Sequence, residues 1–202
     1  MVLQSFIPKS RLEAFSDSVI AIIITIMVLE LKAPHSTELT ALKPVLPAFL
    51  TYALSFIYIS IFWNNHHHLL HAAKGSSGKI MWANLHFLFW LSLIPFVTAW
   101  LGENHTAAWP TALYGFVLLM AGMAYLILQY FIVSVDPLLA EAFGFDWKGK
   151  LSLTSYALAI VLGFFNLWWL SDMFFVSVAL MWFIPDRRIE RVVQQCHAGE
   201  QK

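Results

Sequence analysis

The stretch RLEAFSDSVIAIIITIMVLEL, residues 11–31, joins a long apolar run to a polar turn made of Ser16, Asp17 and Ser18. Arg11 stands six positions before the acid, and Val19–Leu29 contains no charge at all. A membrane helix needs roughly 20 largely apolar residues to cross a hydrocarbon core about 30 Å thick. Ala14–Leu31 meets that requirement, with its polar turn at one end. A core helix in a soluble domain has little use for such a cluster. In a membrane helix the cluster belongs where water, protein or a pore receives it.

The rest of the 202-residue chain has the same character. It is 59% hydrophobic and 12% charged, against about 25% charged in ordinary globular domains, and its mean hydropathy is +0.69. Lipid is the solvent this composition suits. The formal net charge is zero, and no basic face interleaved with aromatic residues suggests a nucleic-acid partner. Cys196 is the sole cysteine, which excludes an intrachain disulfide or cysteine metal site. The first apolar run is too long for a secretory signal and is followed by more of its kind, so it is expected to be a retained first helix.

Further spans are expected at Val45–Trp63, continuing as helix through His71, at Ile80–Leu101, and at Thr111–Val135. Leu151–Phe183 is long enough for two short crossings with a turn near Trp168–Asp172, or for one long kinked helix. Trp63, Trp82, Trp100, Trp109, Trp168, Trp169 and Trp182 cluster near the proposed ends, as interfacial aromatic belts do. With six spans, one side receives ten basic residues: Lys9, Arg11, Lys74, Lys79, Lys148, Lys150, Arg187, Arg188, Arg191 and Lys202. The other receives only Lys32 and Lys43. The positive-inside rule then places both termini in the cytoplasm. Five spans would leave three C-terminal arginines outside, so the bias favours splitting the last segment. The expected organisation is an all-α, six-span membrane domain over residues 1–185, with a cytoplasmic tail over 186–202. The polar segment Asp136–Lys150 and the connection Lys74–Lys79 face the cytoplasm. No internal repeat of the opening motif is visible, since Ser171-Asp172 shares only two letters with it.

Ionisable residues inside a span are functional candidates because burying a charge there is expensive. Asp17 has two readings: an acid that caps the first helix together with Ser16, or a buried group that holds a polar network between helices. Partners exist at the same membrane level, in Trp63-Asn64-Asn65-His66-His67-His68 with His71 at the end of the second span, and in Asn84 and His86 at the start of the third. His67 with His71, or His68 with His71, has helical spacing that suits a shared metal. A metalloenzyme would need more such clusters together with carboxylates, so interfacial structural histidines are expected and no metal or cofactor. Ser16 and Ser18 lack the glycine context of a hydrolase nucleophile. Ile22, Ile26 and Leu29 fall at i, i+4 and i+7, one stripe of a helix bordered by Thr25 and extended by Ser18. By itself that stripe is merely apolar. Gly115 and Gly122 form a small-residue face suited to close helix packing, and Pro95 is expected to kink the third span.

Arg11-Leu-Glu-Ala-Phe15-Ser16-Asp17 resembles the Arg-x-x-x-Phe-Ser-Asp signature of the endosomal and lysosomal potassium channels of the transmembrane protein 175 type. The continuation SVIAIIITIMVLEL, the tryptophan-then-histidine end of span two, and NLHFLFWLSLIPF of span three are similar to the family as well. The remainder resembles it by hydropathy alone. The resemblance implies a potassium-permeant channel whose first helices surround the pore, built as a homotetramer because this chain carries a single six-span repeat. It implies a main constriction at Ile22, apolar rings at Ile26 and Leu29, and a polar layer at Thr25 and Ser18. It also implies that Arg11, Phe15, Ser16 and Asp17 pack the cytoplasmic half of the pore helix against Trp63, Asn84, and His67 or His68. A prokaryotic plasma membrane is the expected location.

The chain has no Thr-Val-Gly-Tyr-Gly filter; Tyr114-Gly115-Phe116 lacks the rest and lies inside a span. Coordination by a backbone-carbonyl filter is therefore absent, and weak selection of potassium over sodium is expected. The alternative is a secondary or proton-coupled transporter using Asp17 or a cytoplasmic-side histidine, although transporters usually show repeats and broken helices at the midplane. A non-transporting membrane scaffold is the third reading.

Overall fold

The computed structural model describes residues 8–73, 75–134 and 146–183. Lys74, most of the Asp136–Lys150 segment, and the 186–202 tail with Cys196 lie outside the described residues. The elements are α1 (Lys9–Leu29), a 3-10 helix (Leu39–Val45), α2 (Leu46–Ala72), α3 (Gly78–Ser92), α4 (Ile94–Glu103), α5 (Ala108–Val133), α6 (Trp147–Phe164) and α7 (Trp168–Phe183). No strand occurs among the described residues. Counting α3 and α4 as one broken crossing gives six antiparallel segments. The end of the bundle carrying Lys9 is called the near end below, and the opposite one the far end.

α1 begins at Lys9 behind Pro8, five residues earlier than the apolar run suggests. Asp17 therefore sits in the middle of a continuous helix, which corrects the capping reading. The polar residues Lys9, Ser10, Arg11 and Glu13 extend the helix beyond its apolar part because a helix carries its own backbone hydrogen bonds through any solvent. α2 runs unbroken through His71 as expected, with a proline in its first turn, where a missing N–H costs no bond. The Ser77 hydroxyl caps α3 by accepting from the Ile80 N–H at 3.3 Å, so Gly78 and Lys79 are helical rather than part of the connection. Pro95 separates α3 from α4 at Leu93, since its ring and absent N–H interrupt the ladder.

The last two segments are a hairpin whose turn lies at Phe165–Leu167, ahead of the expected Trp168–Asp172. Asn166 has φ 58°, a left-handed conformation that asparagine tolerates better than most residues. Its N–H donates to the Gly163 carbonyl at 3.1 Å, and the Leu167 N–H donates to that of Leu162 at 3.1 Å. This is the Schellman pattern that satisfies the last carbonyls of a helix. α7 can then start directly at Trp168.

Four stretches are long and apolar enough to cross a membrane by length and composition: α1, Leu39–Ala72, Gly78–Glu103 and α5. α6 and α7, with 18 and 16 residues, span about 27 and 24 Å. α5 packs along α3 and α6, α6 along α7, and α2 along α4. Glycines permit the close approaches. A Cβ on Gly115 would meet Ile160 Cγ1 at 2.9 Å, one on Gly122 would meet Leu153 Cδ2 at 3.0 Å, and one on Gly102 would meet the Ala48 Cα at 2.9 Å. Lipid tails are as apolar as leucine, so helices in a bilayer associate through such packing and through polar contacts. One polar chain crosses three helices: Thr98 Oγ1 donates to Ser55 Oγ at 2.8 Å, and Ser55 meets the Tyr114 hydroxyl at 3.0 Å.

Candidate functional site

α1 lies against α2, α3 and α4 along one side only. Leu12, Ser16, Ile20, Ile23 and Met27 are buried there. Their spacing of three and four residues is the i, i+3, i+4 row that a helix presents to a partner. The opposite side carries Ser18, Ile22, Thr25, Ile26 and Leu29, all exposed, Ile22 by 56% and Leu29 by 79%. The stripe picked out by spacing is thus the side of α1 that none of the described residues covers.

Both hydroxyls on that side point their protons back into the helix. Ser18 Oγ donates to the Ala14 carbonyl at 2.7 Å, and Thr25 Oγ1 donates to that of Ile22 at 2.8 Å. What remains facing outward is oxygen lone pairs, which accept hydrogen bonds and coordinate cations.

Two polar pins hold the buried side. The Trp63 Nε1–H donates to Asp17 Oδ1 at 2.9 Å, joining α2 to α1. The second pin runs deeper and has a direction. Ser16 Oγ gives its proton to the Leu12 carbonyl at 2.8 Å, so it accepts from Asn84 Nδ2 at 2.9 Å. With its amide committed to Ser16, Asn84 turns Oδ1 toward His66 Nε2 at 2.6 Å, which makes Nε2 the donor. Ser16, Asn84 and His66 are buried to within about a hundredth of full exclusion, and the His66 ring stacks on Phe87 with centroids 5.4 Å apart. His66 Nδ1 is buried without a hydrogen-bond partner among the described residues.

The expected partners divide accordingly. The structure pairs Asp17 with Trp63 and Ser16 with Asn84. The histidine that joins them is His66, rather than His67 or His68. One residue is about 100° of helix, so neighbouring histidines face different ways. His67 is exposed and stacks on Trp63 (5.8 Å) and on His71 (6.1 Å), while His68 packs edge-on against it. His86 accepts from the Trp90 Nε1–H within α3 at 2.9 Å. Phe15 is half exposed, and the exposed Arg11 side chain has no hydrogen-bond or ion-pair partner among the described residues. Arg11 lies eleven residues before Ile22, about three turns, and so shares the uncovered side. No group of three or more His, Cys, Asp or Glu residues able to hold a metal occurs among the described residues.

A bundle with four stretches long and apolar enough to cross a bilayer defines a multi-pass integral membrane protein. The family model for the endosomal/lysosomal potassium channel TMEM175 matches residues 11–95, from the first residue of the opening motif to the proline that breaks α3 from α4. A potassium channel of a Chryseobacterium species is 49% identical over 190 residues, covering 93% of this chain and 98% of that one. A potassium channel of Chamaesiphon minutus is 28% identical over 173 residues, 78% of this chain and 85% of that one. The crystal structure of a lysosomal potassium-selective channel TMEM175 homolog from Chamaesiphon minutus superposes with a TM-score of 0.74 over 87% of this chain and 96% of that chain, at 24% identity. The chain belongs to the TMEM175 family, as a prokaryotic member and an integral membrane protein. Its family is one of channels, not enzymes.

Proposed function

We propose that this protein is a potassium-permeable channel in which four copies gather around the uncovered side of α1. The observation that carries this reading is the bare stripe Ser18–Ile22–Thr25–Ile26–Leu29 on a helix whose other side is polar-pinned and buried. The names of the relatives, each a potassium channel, point the same way. Ten basic residues at the near end and in the tail, against two at the far end, put both termini in the cytoplasm.

In this arrangement Ile22 forms an apolar neck. A cation entering it must keep its water or lose it without replacement, because no hydrogen-bonding group lines the ring. Ile26 and Leu29 add two weaker rings toward the far end. Thr25 and Ser18 offer hydroxyl oxygens with lone pairs outward, which substitute in part for water on either side of the neck. Selection of potassium over sodium then rests on neck width and these oxygens, and is weak compared with a carbonyl filter.

Reconstitution into planar bilayers tests the reading. Unitary potassium currents that scale with concentration are expected. Saturable, proton-coupled exchange without unitary currents would instead identify a transporter, and a silent, correctly assembled protein would identify a scaffold.

A further inference from the structure

The chain carries its charge unevenly. At the far end stand the carboxylates Glu30, Glu38, Glu103 and Asp172 with only the lysines Lys32 and Lys43. Glu30 follows α1 directly and is exposed. Its backbone remains right-handed helical, at φ −74° and ψ −14°, so it falls in the row Ile23, Met27, Glu30 at i, i+4 and i+7, at the height of the far end of the stripe and round the helix from it. The carbonyls ending α1 add partial negative charge at the same place. The nearest base in sequence, Lys32, would cancel this field, but it donates a hydrogen bond to Glu103 at the end of α4. The Lys32 ammonium is held above its ordinary pKa first by that hydrogen bond, then by the charge of Glu103, and least by Glu30. Lys32 is thus committed across the loop, and Glu30 is left exposed beside Leu29, at the level where the bare stripe ends.

We infer that Glu30 sets the cation supply of the pore: its carboxylate concentrates potassium at the outer mouth, and Glu103 preserves that charge by holding Lys32 aside. This rests on the channel reading and adds a conduction-determining residue to it. Glu30 acts through its field and not as a bound ion's ligand, since one carboxylate per chain at an open end has no coordination shell to offer. Field focusing of this sort changes the rate of ion arrival and fades as salt screens it.

The full-length protein in planar bilayers decides the matter, with unitary conductance measured for potassium entering from the outer side. At about 0.01 M salt the screening length is about 30 Å, and at about 1 M it is about 3 Å. Glu30→Gln should lower conductance about two- to tenfold at the low concentration and leave it unchanged at the high one. Glu30→Asp, which keeps the charge, should follow wild type. Glu103→Gln leaves Glu30 in place but frees Lys32, and should reproduce the low-salt loss. Conductances of Glu30→Gln that superpose on wild type throughout, or that fall equally at both concentrations, would overturn the inference while leaving the channel reading intact. A silent wild-type protein would remove both.

Discussion

The two sides of α1 are made of similar residues and have opposite fates. Ile20 and Ile23 are almost fully excluded from solvent, whereas Ile22 and Ile26, one and three positions from Ile23, are about half exposed. Hydrophobicity does not separate them, and in a bilayer it could not, because lipid and protein interior are equally apolar. The polar groups decide which side is held. Ser16 and Asp17 each find a donor on a neighbouring helix, Asn84 Nδ2 and Trp63 Nε1, while Ser18 and Thr25 satisfy themselves within α1. Interhelical hydrogen bonds of this kind contribute about 0.6 to 1.7 kcal/mol each. Two of them suffice to fix the rotation of one helix about its axis.

Breaking the deeper pin should have the largest effect. Asn84→Leu leaves Ser16 without its donor and His66 Nε2–H without its acceptor, and each buried unpaired group costs about 1–3 kcal/mol. A loss of about 2–4 kcal/mol in stability, read from thermal unfolding in detergent, is expected along with poor assembly. A stable, assembled Asn84→Leu protein would mean that α1 is held by apolar packing alone.

The uncovered side predicts a change in function instead. Ile22→Asn makes the neck wettable and should raise potassium conductance about tenfold, equivalent to a barrier lower by about 1.4 kcal/mol, while eroding discrimination against sodium. Ile26→Asn and Leu29→Asn should act in the same direction and less. Ile20→Asn is the mirror experiment: it places an unpartnered amide on the buried side and should destabilise the subunit by about 1–3 kcal/mol. Equal behaviour of Ile20→Asn and Ile22→Asn would erase the distinction between the two sides.

Most of this architecture can be read from the amino-acid sequence because helices in lipid need length and apolarity, both of which are local. The break at Pro95 and the glycine contacts of Gly115 and Gly122 are likewise local. The hairpin turn lies ahead of the expected Trp168–Asp172, because Trp168, Trp169 and Asp172 resemble an interface while the deciding residue, Asn166, signals only through a left-handed backbone. The stripe was visible in the spacing of Ile22, Ile26 and Leu29, yet spacing alone does not say which stripe is bare. Choosing His66 over His67 and His68 depends on the rotation of α2 against α3, a tertiary quantity. The contact of Asn84 with Ser16 fixes it, and no run of adjacent histidines records that.

Arg11 extends the comparison to the near end. It shares the bare side with Ile22, away from the Trp63 and Asn84 contacts, and its side chain is exposed. Arg11→Gln should therefore change subunit unfolding by no more than about 0.5 kcal/mol, as for a surface residue. In a tetramer the same residue faces neighbouring copies, so the tetramer-to-monomer ratio on size exclusion should fall. A destabilised subunit with a normal tetramer would show that Arg11 belongs to the buried side after all.

Asp17 gives the finest test. It lies on the held side, where its Oδ1 accepts the Trp63 indole N–H. Asp17→Asn keeps the shape and keeps an oxygen to accept that bond, removing only the charge. A charge-assisted hydrogen bond is roughly twice as strong as a neutral one, so the substitution should forfeit about half the pin, on the order of 0.5–1 kcal/mol. That is enough to loosen the rotation of α1 without releasing it. The expected result is somewhat less tetramer in detergent, with unitary conductance and ion selectivity unchanged in the channels that do assemble. Asp17→Leu, which removes the acceptor as well, should roughly double the loss in assembly, and Trp63→Phe should match it because both delete the same bond. Altered selectivity in a normally assembled Asp17→Asn channel would place this carboxylate on the permeation path, and the pin would then be incidental to its role.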